Sequence, residues 1–247
     1  MMRAAHERPQ HWGSFPATSH SAIRALRSES EDRAHALETL ARAYWPAIYR
    51  SIRVRWRKSP AVAEELTQDF LLMMLEKDAF ADYEPDRGRF RSYLKTCLDR
   101  YLTNRDKESS RLKRGGAVRF EFDFESVECE LESEAPSPEE DVSAAFDRTF
   151  AATLVKLGVR TLATQCQDRG KATAFQLFKA IALDEVDPKP SYAELARAHG
   201  LSVFDVTNQL AFARREFRRI VLENLRVITS NDLDFEAEAQ NLFGAPA

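Results

Sequence analysis

Apolar residues recur at steps of three and four along most of this chain, the period of helices with one buried face. Leu37, Leu40, Tyr44, Ile48 and Ile52 share such a face, and Pro46, which has no amide proton, is expected to kink that helix or to begin a new one. Ser59 and Pro60 read as an N-cap and first-turn proline. Val62, Leu66, Phe70, Met73 and Met74 then continue a buried stripe, with Glu64, Glu65, Gln68 and Asp69 on the other side. Leu71, Leu72 and Leu75 widen the apolar surface, which fits either a deeply buried helix or a helix that meets another protein. Turn chemistry from Asp82 to Arg89 precedes a third helix that buries Phe90, Leu94, Cys97, Leu98 and Tyr101.

The second half begins differently. Val118, Phe120, Phe122 and Phe124 alternate with polar residues and predict a short extended segment, followed by an acidic, solvated stretch from Glu128 to Asp141. Helical patterning returns with Phe146, Phe150, Leu154, Leu157 and Leu162, then with Phe175, Phe178 and Ile181. After Pro188 and Pro190 comes the most specific pattern. Ser191 to Ser202 encodes a short helix, a glycine at its end (Gly200) and a serine placed to cap the next helix, with Asp205 standing where a capping box prefers Glu. That next helix is predicted to bury Val203, Val206, Leu210, Ala213, Phe217 and Val221, and to expose Phe204, Asn208, Phe212, Arg215 and Arg219. A helix-turn-helix of this kind presents its second helix to a major groove.

Composition agrees with an all-α chain: 8 Gly and 10 Pro among 247 residues leave helix formers to dominate. Cys97, Cys129 and Cys166 lie far apart, so neither a disulfide framework nor a zinc knuckle is expected, which fits a reducing cytoplasm. No apolar run approaches the length of a membrane span, and the segment containing His6, His11 and Trp12 has no signal-peptide core. The net charge of −3 hides a segregation. Residues 1–120 carry 23 basic and 16 acidic side chains, residues 121–147 carry 11 acidic and no basic ones, and residues 148–247 are nearly balanced with 13 basic and 12 acidic. The expected organisation is an extension over 1–35, a helical domain over 36–116, an acidic linker over 117–140, a helix-turn-helix domain over 141–228 and a second extension over 229–247.

On the third helix Tyr93, Thr96, Arg100, Asn104, Lys107 and Arg111 follow at steps of three or four and line one face. A solvated polar face is the ordinary use of such a stripe, but its aromatic, amide and cationic groups also match what unstacked bases, base edges and phosphates require.

Taken together, the two helical domains resemble the extracytoplasmic-function (ECF) sigma factors, bacterial subunits that direct RNA polymerase to promoters. Glu64-Glu65-Leu66-Thr67-Gln68-Asp69-Phe70 is similar to the family's polymerase-binding region 2.2. Phe90-Arg91-Ser92-Tyr93-Leu94 onward resembles regions 2.3 and 2.4, and Ser191 to Arg219 resembles region 4. The resemblance implies a three- or four-helix region 2 bundle and a region 4 helix-turn-helix joined by the acidic linker. It also implies polymerase contacts from Glu65, Gln68, Asp69 and Phe70, opened-strand contacts from Tyr93, Arg100, Asn104, Lys107 and Arg111, and upstream-duplex contacts from Phe204, Asn208, Arg215 and Arg219. Phe212 stands where the family often carries Arg.

The implied partners are core RNA polymerase and promoter DNA, with an anti-sigma factor or another regulator as a further one, and no membrane. The function implied is promoter recognition, DNA opening and transcription initiation, without catalysis, cofactor or metal. An autonomous helix-turn-helix regulator that binds DNA without polymerase is the alternative. An enzyme is disfavoured because no P-loop, dinucleotide fingerprint, nucleophile elbow or paired zinc-histidine motif occurs. The tail after Thr229, with Leu233, Ala237, Gln240 and Leu242, is expected to form a weak acidic helix that docks on a DNA-binding face and moderates activity.

Overall fold

Alanines at 36, 41, 43, 47 and 63, all buried, let bulky neighbours close over the first two helices. The computed structural model describes residues 32–76, 82–84, 88–107, 120–133 and 141–244, and among these the regular secondary structure is all helix, without a strand. The described residues form two compact units, one of Val155–Asn224 and the other of those before 155 together with those from Leu225 onward.

In the second of these, helix α1 (Asp32–Val54) runs unbroken through Pro46. A proline removes one amide donor and crowds the preceding turn. Ala43, Ala47, Ile48 and Tyr49, none more than 1% exposed, hold that turn in the core and outweigh this local cost. Leu40, Tyr44, Ile48 and Ile52 are buried as the periodicity predicts, whereas the side chain of Leu37 lies outside the described set. Helix α2 (Pro60–Glu76) starts at the proline, with the Ala63 amide donating to the Ser59 carbonyl at 2.9 Å. Its core face is Ala63, Phe70, Leu71 and Met74, while Val62, expected inside, is exposed in the first turn. Helix α3 (Phe90–Lys107) buries Phe90, Leu94, Leu98 and Leu102 at a strict four-residue step. Cys97 and Tyr101 are only half-buried at the margin of that stripe.

The segment after α3 departs from expectation. Phe120 to Asp123 is irregular rather than a strand, and Phe124–Ser133 forms helix α4 where a solvated linker was expected. The acidic count concealed an apolar edge. Trp45 stacks on Phe122 at 4.9 Å, Phe122 stacks on Phe120 at 5.3 Å, and Phe124 meets both Trp45 and Tyr49. Glu128 is half-buried, accepts from the Tyr49 hydroxyl at 2.7 Å and from Arg53 Nε at 2.9 Å, and forms an ion pair with Arg53. Glu125 and Glu132 point to solvent. Residues 117–119 and 134–140 of the expected linker lie outside the described residues.

Helix α5 (Val142–Asp168) contributes Phe146, Phe150 and Leu154 to this unit, and Phe150 stacks on Tyr44 at 4.7 Å. The other unit is built from Val155 onward in α5, α6 (Ala172–Ala182), α7 (Tyr192–His199) and most of α8 (Val203–Ile228). Its core has two clusters: Leu162, Cys166, Ala174, Phe178, Ala213 and Ile220 in one, and Leu177, Leu195, Ala196, Val206 and Leu210 in the other. Phe175 and Ile181, expected inside, are half-buried at the edges of these clusters, and Leu157 is half-buried as well.

The tail forms helix α9 (Asp232–Phe243), capped by the Asn231 side chain, which accepts from the Asp234 amide at 2.8 Å. Its buried face is Asp234, Glu238 and Ala239, and Leu233 is 78% exposed, so the helix is rotated from the face expected. The cause is a buried cation. Arg91 on α3, 7% exposed, pairs with Glu238, 3% exposed, at 2.9 Å, and the Tyr83 hydroxyl meets Ser230 Oγ at 3.0 Å.

Candidate nucleic-acid interface

The helix-turn-helix is fixed by reciprocal caps at both of its helix starts. Ser191 Oγ accepts from the Glu194 amide, and the Glu194 carboxylate accepts from the Ser191 amide at 2.8 Å and from its hydroxyl at 2.7 Å. These donors hold the Glu194 carboxyl below its ordinary range. Gly200 ends α7 at φ +64°, a left-handed conformation that glycine adopts without steric cost. The Leu201 amide then donates back to the Ala196 carbonyl at 2.9 Å, and Leu201 packs on the Leu195–Val206 cluster. Ser202 and Asp205 repeat the capping box: the Asp205 amide donates to Ser202 Oγ at 3.1 Å, and the Ser202 hydroxyl donates to the Asp205 carboxylate at 2.6 Å. Asp therefore serves where Glu is usual.

Helix α8 buries Val206, Leu210, Ala213 and Val221 as expected. It presents Phe204, 73% exposed, together with exposed Asn208 and Arg215. Four expectations on this helix change. Phe217, expected inside, is half-buried against the Leu162–Phe178 cluster. Val203, in the first turn, is 48% exposed. Phe212 is half-buried against the Leu162–Phe178 cluster with Lys171 Nζ 4.9 Å from its ring, so it is a packing residue rather than a member of the outward face. Arg219 is clasped by Glu216 at 3.0 Å and Glu223 at 2.6 Å and donates to Gln165 at 3.1 Å. The same clasp holds the Glu216 carboxyl below its usual range. Thr207 and Ala211, which the sequence reading did not single out, are exposed on the same stretch; Thr207 lies three residues after Phe204, and Ala211 three after Asn208.

On α3, Thr96, Arg100 and Asn104 are exposed along one face. Tyr93 begins that face half-buried, its ring 5.4 Å from Tyr83 and 6.3 Å from Phe90 and its hydroxyl hydrogen-bonded to Cys97. Burial raises both the Tyr93 phenol and the Cys97 thiol. The side chain of Lys107 and all of Arg111 lie outside the described residues. Other cations of α3 are engaged within this unit: Lys95 with Asp147 at 2.9 Å, Arg91 with Glu238, and Arg105 with Asp69.

The residues assigned to polymerase do not share one exposed surface. Glu65 is exposed. Gln68 is buried, its carboxamide donating to the Phe120 carbonyl at 2.7 Å and accepting from the Phe120 amide at 3.0 Å. Asp69 is half-buried in its pair with Arg105, whose Nε also donates to the Tyr101 hydroxyl at 3.1 Å. Phe70 is fully buried, 5.5 Å from the Tyr101 ring. Burial pushes the Tyr101 phenol up to about 12. Gln68 is thus a tether for the segment before α4, a role no local pattern announces, because its partner lies 52 residues away.

Among the described residues, no helix is long and apolar enough to cross a membrane, and no group of three His, Cys, Asp or Glu side chains is placed to hold a metal ion. No family model, curated protein or solved structure matches the chain.

Proposed function

We propose that the protein is a sigma-type initiation factor, which binds core RNA polymerase, recognises promoter DNA through two separate helical faces and assists strand opening without catalysing a covalent step. The observation that carries this reading is the doubly capped helix-turn-helix with Phe204, Asn208 and Arg215 exposed on its second helix. Rigid caps matter here, because reading base edges requires a helix held in one register against the groove. The exposed Thr96, Arg100 and Asn104 face of α3, with Tyr93 at its margin, supports a second contact, to the opened strand. Unpairing costs on the order of 1 to 2 kcal/mol per base step, a sum that contacts to displaced bases and to polymerase offset. The proposal extends to the architecture, with the α1–α3 portion acting as region 2 and the helix-turn-helix unit as region 4, and to a cytoplasmic setting.

One observation favours the autonomous regulator instead: Gln68 and Phe70 are buried and Asp69 is paired, which leaves Glu65 as the exposed member of the set assigned to polymerase. Co-sedimentation of the full chain with core polymerase separates the two. The sigma reading expects a stable complex weakened by Glu65→Arg. Absence of a complex, with sequence-specific DNA binding intact, selects the autonomous regulator.

A further inference from the structure

The reading surface of α8 carries a chemical bias. From Val203 to Ala213 the helix has no Lys or Arg, and its first cations are Arg214 and Arg215. Phe204 and Arg214 are ten residues apart, roughly 15 Å along the axis. The turns nearest the helix start, which a helix-turn-helix directs at base edges, therefore lack the bidentate cation that reads the O6 and N7 of guanine. What they expose is Val203 at 48% and Phe204 at 73%, with Thr207, Asn208 and Ala211 beside them. The Thr207 hydroxyl donates to the Val203 carbonyl at 2.9 Å, so it keeps a methyl and acceptor lone pairs but no proton to give to guanine O6 or N7. Asp205 Oδ2 accepts from the Ser202 amide at 3.3 Å and from its hydroxyl at 2.6 Å, which ties this carboxylate, a natural partner for cytosine N4, to the cap.

We infer that α8 reads A·T pairs, with Phe204 packing on the C5-methyl of thymine and Asn208 spanning adenine N6 and N7. Arg214 and Arg215 then serve the flanking phosphates. Apolar contact is the chemistry that distinguishes thymine from the other bases in the major groove, and a neutral carboxamide is the group that pairs bidentately with adenine. The inference rests on the DNA-binding part of the proposed function and names its target.

The test is selection of the full chain, alone and with core polymerase, on a random duplex library, followed by resynthesis of the enriched duplex with deoxyuridine for each thymidine in turn. Deoxyuridine removes only the methyl group. The expected result is an enriched core of A·T pairs and a loss of affinity of roughly fourfold at each contacted thymine. That loss disappears at one position in Phe204→Ala, a substitution whose exposure leaves the fold intact. An enriched core of G·C pairs, or equal binding of thymidine and deoxyuridine duplexes, overturns the inference while leaving DNA binding in place. Failure to enrich any sequence, with or without polymerase, overturns both.

Discussion

A Cβ on Gly158 would lie 2.6 Å from Val221 Cγ2 and 3.2 Å from the Phe217 ring, so α5 and α8 approach there as closely as a hydrogen atom allows. Gly158→Ala is expected to destabilise the helix-turn-helix unit by about 1 to 3 kcal/mol, because Val221 is fully buried and has no room to retreat. A chemical denaturation midpoint measures it, and an unchanged midpoint would mean that the two helices pack less tightly. The exposed residues behave differently. Asn208→Ala is expected to leave stability unchanged and to weaken duplex binding by about 1 to 3 kcal/mol in a sequence-dependent manner, whereas Arg215→Ala is expected to weaken all sequences alike. Titration on selected and scrambled duplexes distinguishes the two. Arg219 is the instructive contrast: helical period places it with Arg215, but Glu216 and Glu223, three residues before it and four after, occupy its guanidinium. Those acids are visible in the sequence; that they would hold the arginine rather than solvate separately is a matter of side-chain geometry.

For whole elements, the caps and the acidic helix α4 decide most. Ser191→Ala removes an acceptor at the start of α7 and is expected to cost about 1 kcal/mol, read as a lower melting temperature of the helix-turn-helix unit. Glu128 governs how α4 attaches. Its hydrogen bond from Arg53, aided by that from Tyr49, holds its carboxyl below the ordinary value of 4.5. A carboxyl so lowered binds fewer protons folded than unfolded, so its contribution is complete above 4.5 and is lost as pH falls through the lowered value. Glu238 has the opposite sign. Burial pushes it up despite Arg91 and Arg89, so its contribution is complete below 4.5 and declines as pH rises through the raised value. Denaturation melts from neutral to acidic pH are expected to show a shallower acid loss in Glu128→Gln than in the unsubstituted chain; identical slopes would remove Glu128 from the attachment.

The helices themselves were legible because their buried stripes keep to 3.6 residues, and the helix-turn-helix was legible because glycine, serine and proline punctuate it at fixed places. Helix α4 was not, since eleven acidic residues between 121 and 147 masked a row of three phenylalanines whose partners, Trp45 and Tyr49, are far away in sequence. Helix α9 was legible as a helix but not in its rotation, which a single buried arginine sets.

At the scale of the whole molecule, the tail helix belongs to the same unit as α1 and α3, and through Ser230 and Tyr83 it reaches the ring that packs on Tyr93. It thus adjoins the margin of the α3 face proposed to meet the opened strand. Among the described side chains of α2, the expected acidic-and-apolar surface keeps exposed Glu65 and Val62 and half-buried Glu64, Leu72 and Met73, while Gln68 and Leu71 are buried. The proposed polymerase contact therefore centres on a smaller patch than the sequence suggested. The measurement that tests the central claim most directly is multi-round transcription by purified core polymerase on a library of genomic fragments, with and without the full chain. The account predicts new start sites that require the protein and share two upstream motifs at fixed spacing. Folded protein that yields no new starts and forms no stable complex with polymerase would contradict it.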